Sequence, residues 1–185
     1  MTREETDLRF DDVSVVGRPD TAKMMQAIGR FVENPVGMLT IHGSNGNGKS
    51  AALIVAVNEC LDRGIPAVYI PAYDMLNWIQ DAFNKDKSVR DGSALDRLER
   101  LKNVLVLAID ELQAVKMTDW RTEQLENLVD WRYRYGLDGK LGTLIGMNEP
   151  PSKTTPRIFS RITDGRNADN PVIQNNDPDI RGVLR

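Results

Sequence analysis

One run of residues has the composition and spacing to hold a polyphosphate. Gly43, Ser44, Asn45, Gly46, Asn47, Gly48, Lys49 and Ser50 satisfy the P-loop pattern G-x-x-x-x-G-K-[ST] at every fixed position. Glycines let such a loop fold its backbone N–H groups inward around phosphate oxygens, where a Cβ would obstruct the path. Ala51 follows in the first turn of a helix, whose positive dipole end points at the same oxygens. Lys49 would reach the β- and γ-phosphates, and the Ser50 hydroxyl would hold Mg²⁺.

Three further positions fit the same chemistry. Asp110-Glu111 closes the apolar run Val104-Leu105-Val106-Leu107-Ala108-Ile109. Asp110 at the carboxyl end of a buried strand would bind Mg²⁺, directly or through water, and Glu111 would polarise an attacking water. An acidic pair of this kind points to ATP hydrolysis by the additional-strand class of P-loop proteins. No guanine-reading N-K-x-D box is present. Asn148 ends the next apolar run, where it could contact the γ-phosphate or the lytic water; the alternative is that Asn-Glu-Pro-Pro is a plain turn. Arg161, in Phe159-Ser160-Arg161-Ile162, is the candidate arginine finger, a cation that a neighbouring subunit lends to the transferring phosphoryl group. The same pattern also describes a surface arginine on a short helix.

These residues need a scaffold, and the hydrophobic pattern supplies one. Asp20 or Thr21 is expected to cap a helix that buries Met24, Ile28, Phe31 and Val32. Met38–His42 reads as a strand, and a helix follows the loop to about Leu61, with Gly64 just beyond its end. Ala67–Pro71 is a second strand. Helices are expected over Tyr73–Phe83, and after Ser93 with Leu95, Leu98 and Leu101 turned inward. The uninterrupted run ending at Ile109 suits a central parallel strand buried on both faces. A helix capped by Asp119 carries Leu125, Leu128, Val129 and Arg132. Leu141–Met147 is a fourth strand, Arg157–Ile162 a short helix, and Val172-Ile173 a possible edge strand. Alternating strands and helices predict an α/β domain with a mostly parallel five-stranded sheet. The expected division is a lead-in over 1–20, a core over 21–175 and a tail over 176–185.

Composition narrows the classes. The 185 residues can bury a proper core. A net charge of −3 is not that of a global nucleic-acid binder, so any such contact needs a local patch. The single Cys60 allows no internal disulfide and reads as an inert core thiol, and the single His42 reads as structural or loop-supporting. No apolar stretch approaches the length of a membrane span, and no signal peptide is evident, so a cytoplasmic location is expected.

The order of these motifs resembles the DnaC/IstB-like branch of AAA+ ATPases, the helicase loaders and transposition ATPases. The resemblance runs from about Leu8 and covers nearly the whole chain. Arg9-Phe10-Asp11-Asp12 is similar to the family's aromatic entry segment. Gly43–Ser50 matches its P-loop, and Ala108-Ile109-Asp110-Glu111-Leu112 matches its Walker B strand. Arg132-Tyr133 or Arg134-Tyr135 resembles its Arg-Tyr pair. Asn148 matches the sensor-1 asparagine, Ser160-Arg161-Ile162 resembles the arginine-finger segment, and Asp179-Ile180-Arg181 resembles the closing arginine motif. One departure stands out: the asparagine usually follows threonines, and here it follows Gly146-Met147.

The resemblance implies a three-layer P-loop NTPase core of the AAA+ additional-strand type without a helical lid. It implies ATP and Mg²⁺ as ligands, a homo-oligomer with the finger in trans, and DNA as a partner. A replicative helicase or a transposase would be the protein partner, and the role would lie in DNA replication or transposition. Candidate DNA contacts are Lys85, Lys87 and Arg90, or Lys116, Trp120 and Arg121, against a solvated mixed-charge face as the plainer reading. The basic stretch 153–166 could serve DNA or the subunit interface. A non-hydrolysing, ATP-dependent switch or adaptor is the alternative function; a small P-loop kinase is disfavoured by Asp-Glu and by the lack of an acceptor lid.

Overall fold

Five short strands form one parallel sheet: β1 (Gly37–His42), β2 (Ala67–Pro71), β3 (Val106–Asp110), β4 (Gly142–Met147) and β5 (Val172–Gln174), in spatial order β2-β3-β4-β1-β5. The computed structural model describes residues 7–84, 93–113, 118–167 and 171–179. The candidate contacts Lys85, Lys87, Arg90, Lys116 and Arg181 lie outside the described residues. Among the described residues, six α-helices cover the sheet: α1 (Pro19–Glu33), α2 (Lys49–Asp62), α3 (Ala72–Asn84), α4 (Ala94–Asn103), α5 (Asp119–Leu137) and α6 (Pro156–Ile162).

Alternation along each strand divides the interior into two cores. Leu39, Ile41, Val106, Ala108 and Leu144 face α1 and α2, where they meet Met24, Ile28, Leu53 and Val57. Met38, Leu107, Ile109, Ile145 and Met147 face the other helices, where they meet Leu76, Ile79, Leu128 and Val129. β3 is buried along its whole length, as a central strand of a doubly covered sheet must be. Each fully buried branched side chain contributes roughly 1.5–3 kcal/mol of transfer free energy.

All strand pairs are parallel, so every β-strand ends at the same edge of the sheet. Loops leaving β1, β3 and β4 there carry the P-loop, Asp110-Glu111 and Asn148. Among the described residues, no helix follows β5.

Several local expectations are corrected. α1 starts at Pro19 with Arg18 at the N-cap, so neither Asp20 nor Thr21 caps it locally. Leu95 is 65% exposed, because α4 turns Ala94, Arg97 and Leu101 inward instead. Ser93 does cap α4, exchanging hydrogen bonds with Asp96. Thr118, not Asp119, caps α5. β3 begins two residues later than the apolar run, since Val104 still closes α4 and Leu105 is exposed.

Candidate nucleotide site

The sheet edge presents a cleft of about 380 Å³ lined by Asn45, Gly46, Asn47, Gly48, Lys49, Ser50, Ala51, Glu111 and Asn148. Segments about a hundred residues apart in the sequence thus meet in one concavity, as ligand sites of open parallel sheets do. Lys49 opens α2, and its Nζ donates to the carbonyls of Gly43 (2.9 Å) and Ser44 (2.6 Å) and to Asn47 Oδ1 (3.1 Å). The ammonium is therefore held at the mouth of the loop. His42 stands just before it; burial first, and the Lys49 charge second, hold its imidazole below the usual histidine range. His42 is thus neutral near pH 7 and adds no competing charge to the loop, which agrees with a supporting role.

Asp110 is buried to 3% exposure beneath the cleft. Its Oδ1 accepts the Glu111 backbone N–H at 2.8 Å, and its Oδ2 accepts the Tyr69 hydroxyl of neighbouring β2 at 2.8 Å. Glu111 has φ 51°, the one non-glycine residue in the left-handed region among those described. That conformation costs on the order of 1–2 kcal/mol for a residue with a Cβ. It turns the chain sharply after the strand, and Glu111 becomes part of the cleft wall.

Gly146 accounts for the departure from the family's threonines. A Cβ on Gly146 would stand 2.2 Å from Asp110 Oδ1 and 2.8 Å from Leu53 Cδ1. The carboxylate occupies the space that a larger residue on β4 would fill. The donor set suits a small hard cation: the Ser50 hydroxyl and the Asp110 carboxylate, with two hydrogen bonds fixing the latter. Among the described residues there is no cluster of three metal-ligating side chains. A cation here would complete its shell with phosphate and water oxygens, as Mg²⁺ commonly does.

A polar network that sequence reasoning missed encloses the loop from behind. Arg18 Nη2 donates to the Asn47 carbonyl at 3.0 Å. The Asn47 side-chain amide donates to the Asn175 carbonyl, and Asn175 Nδ2 returns to the Asn47 carbonyl at 3.2 Å and to Thr21 Oγ1 at 3.2 Å. Asp177 Oδ2 accepts both the N–H and the hydroxyl of Thr21 at 2.7 Å. Burial alone would raise the Asp177 pKa; the bonds from Thr21 and the Asp20 backbone outweigh it and hold the group below the usual carboxylate range. α1 is thus capped by a carboxylate from the far end of the chain. The fit is close: a Cβ on Gly43 would overlap the Asn175 carbonyl, and one on Gly46 would overlap the Asp179 carboxylate. The only signal in the sequence was the alternation of Asn175, Asp177 and Asp179 in an extended run.

Arg161 is not part of its own chain's cleft. It projects from α6 against α5, where Nε donates to Asp130 at 2.9 Å and the guanidinium lies 4.8 Å from the Tyr133 ring centre. Of the two Arg-Tyr pairs, Arg132-Tyr133 faces the interior and Arg134 lies at the surface. Trp120 packs partly against the core, while Arg121 bonds Asn77 and stands 5.8 Å over the exposed Tyr73 ring. In the basic stretch, Arg157 pairs with Glu126 and Asp130, and Arg166 with Asp164.

No family model matches the chain, and no curated protein matches its sequence. Solved structures do match its fold. A replication initiator DnaA bound to AMPPCP and single-stranded DNA superposes with a TM-score of 0.75 at 17% identity, over 92% of this chain and 50% of that one. A DnaC helicase loader gives 0.74 at 18% identity, over 95% of this chain and 100% of that one. DnaI gives 0.72 at 20% identity, over 97% and 93%. The chain spans about half the length of two DnaA structures and of a DNA replication initiation factor that it matches. The fold is that of AAA+ P-loop domains.

Proposed function

We propose that the chain binds and hydrolyses MgATP and that identical copies assemble with ATP between them to act on DNA in replication, as a helicase loader or initiator-like factor. The observation that carries the reading is the convergence of the P-loop, Glu111 and Asn148 on one cleft, with Asp110 immediately beneath it. AMPPCP and single-stranded DNA in the DnaA structure of the same fold, and the similarity to the DnaC helicase loader, support the choice of ligand and process.

The roles follow from position. The N–H groups from Asn45 to Ala51 would cradle the phosphates at the α2 N-terminus. Lys49 would exchange its carbonyl partners for β- and γ-phosphate oxygens. Ser50 and Asp110 would hold Mg²⁺, which supplies charge neutralisation on the bridging oxygens. Glu111 would orient the attacking water, and Asn148 would report the γ-phosphate. Arg161 would act on the nucleotide of an adjacent copy. Tyr73 and Arg121, an exposed ring beside a cation, are the described pair best suited to a DNA base. Among the described residues, no helix is long and apolar enough to cross a membrane.

The test is mass by light scattering with and without a slowly hydrolysed ATP analogue, repeated with single-stranded DNA and with Arg161→Ala. Growth to a multi-subunit species that requires both nucleotide and Arg161 is expected; a monomer under every condition would overturn the assembly. Lys49→Ala is expected to abolish nucleotide binding, and unchanged ATP affinity in that variant would refute the site.

A further inference from the structure

Arg161 is held in an unusual way for a side chain that merely closes a surface ion pair. Its Nε is committed to Asp130, and one face of the guanidinium rests on Tyr133. Among the described residues, neither Nη nitrogen has a hydrogen-bond partner. The side chain is one-third exposed, so the unpaired end of the fork meets solvent. An arginine used for structure alone normally spends its Nη groups, which are the ones that form bidentate pairs.

The bracket around it is itself fixed. The Asp130 side chain is only 12% exposed and also receives Arg157 at 3.3 Å and Arg134 at 3.4 Å. Burial works against its charge, but the Arg161 hydrogen bond and the charges of Arg157, Arg161 and Arg134 prevail and hold it below the usual carboxylate range. The Tyr133 hydroxyl donates to Asp164 at 2.6 Å and accepts from Arg166 Nη2 at 2.6 Å, which locks the ring plane. Asn167 Nδ2 donates to the Arg161 carbonyl at 2.7 Å and secures the end of α6.

We propose that Asp130 and Tyr133 are positioning residues that hold the Arg161 guanidinium with both Nη groups free and aimed outward, ready for the terminal phosphate of ATP bound to a second copy of this chain. This rests on the reading of Arg161 as a finger in trans. The ordering of a flexible side chain is completed within the free subunit, so assembly does not have to supply it. Arg157 and Arg134 hold Asp130 from its other oxygen, so its bond to Arg161 Nε stays in place while the Nη groups meet another anion.

The test compares ATP turnover at saturating protein for Asp130→Asn, Tyr133→Leu and Arg161→Ala, with each variant's own ATP affinity and melting temperature as controls. Asp130→Asn and Tyr133→Leu are expected to lower kcat about ten- to a hundredfold, the scale of a misplaced catalytic group. KM for ATP should stay within about twofold, because each copy's own cleft is untouched. Adding Lys49→Ala subunits, which hold no nucleotide but carry an intact Arg161, should restore turnover to all three variants. The double variant Lys49→Ala/Asp130→Asn should not restore it. Asp130→Glu, which keeps the charge but moves it by a methylene, covers the case in which the Asn variant does not fold; it should remain folded and turn over at an intermediate rate. Wild-type kcat in folded Asp130→Asn or Asp130→Glu, alongside a loss in Arg161→Ala, overturns the positioning role while leaving the finger standing. Wild-type kcat in Arg161→Ala overturns the finger and this inference together.

Discussion

α5 supports two arginines that the fold treats in opposite ways. Arg132 lies on its inner face, wholly buried, and every nitrogen is used. Nε donates to Thr143 Oγ1 at 2.8 Å; Nη1 donates to the carbonyls of Leu101, Lys102 and Val104; Nη2 donates to those of Leu105 and Gly142. No carboxylate is among these partners. Carbonyls at the α4 C-terminus, the negative end of that helix, take the charge instead. Burial pushes the Arg132 pKa down to about 9, so the group is still cationic at neutral pH. Arg161, packed against the same helix, spends one nitrogen and, among the described residues, leaves the rest open. The first arginine joins α4, α5 and β4 into one body; the second has hydrogen-bonding capacity that its own chain does not use. Complete satisfaction marks a structural cation; Arg161, partly satisfied and one-third exposed, keeps the hydrogen-bonding capacity that the proposed role would need.

Four measurements can break or sharpen that contrast. Arg161→Ala should cost turnover about a thousandfold, the low end for an arginine finger, while stability in urea changes by no more than about 1 kcal/mol, because Arg157 and Arg134 still pair with Asp130. A large stability loss would place Arg161 in the same class as Arg132. Arg132→Met should do the reverse, lowering stability by roughly 3 kcal/mol as several buried acceptors lose their donor; ATP affinity of the folded fraction should hold. If affinity falls first, the arginine serves the site and not the frame. Gly146→Ala should cost about 1–3 kcal/mol through crowding against Asp110 and Leu53, and should weaken Mg²⁺-dependent more than Mg²⁺-independent nucleotide binding. Equal loss in both would mean that the carboxylate has no special link to the cation. The smallest effect belongs to His42. Its folded pKa lies below its unfolded value, so the unfolded chain binds more protons and stability declines as pH falls below about 6.5. His42→Asn should flatten that part of the urea profile, and an unchanged slope would remove His42 as its source.

The parts of the molecule written in contiguous residues were legible in the sequence. The P-loop pattern, the apolar run ending in Asp110-Glu111 and the 3.6-residue spacing of Leu125, Leu128, Val129 and Arg132 each carry their signal locally. Arg132 could be read as inward-facing, but its partners lie on α4 and β4, and nothing in the spacing names them. Gly146 looked like a departure until Asp110 was found in the space beside it. Leu95 was misassigned because leucine suggests an inward face, whereas the packed face of α4 follows Ala94, Arg97 and Leu101. The Thr21–Asp177 cap was out of reach for the same reason as Arg132: a helix end satisfied by a carboxylate 156 positions away leaves no local trace.

That cap also has a consequence for synthesis. The back of the loop is built from Arg18 and Thr21, and from Asn175 and Asp177, which are synthesised 154 and 156 positions after Thr21. Local elements such as α1 and α2 can form while the chain is being made, but the enclosure of Asn47 must wait for β5 and the residues after it to dock. The back wall of the loop is therefore complete only once β5 and the residues after it have been made. A translation product halted before β5 would carry the full P-loop sequence without the back wall that shapes it.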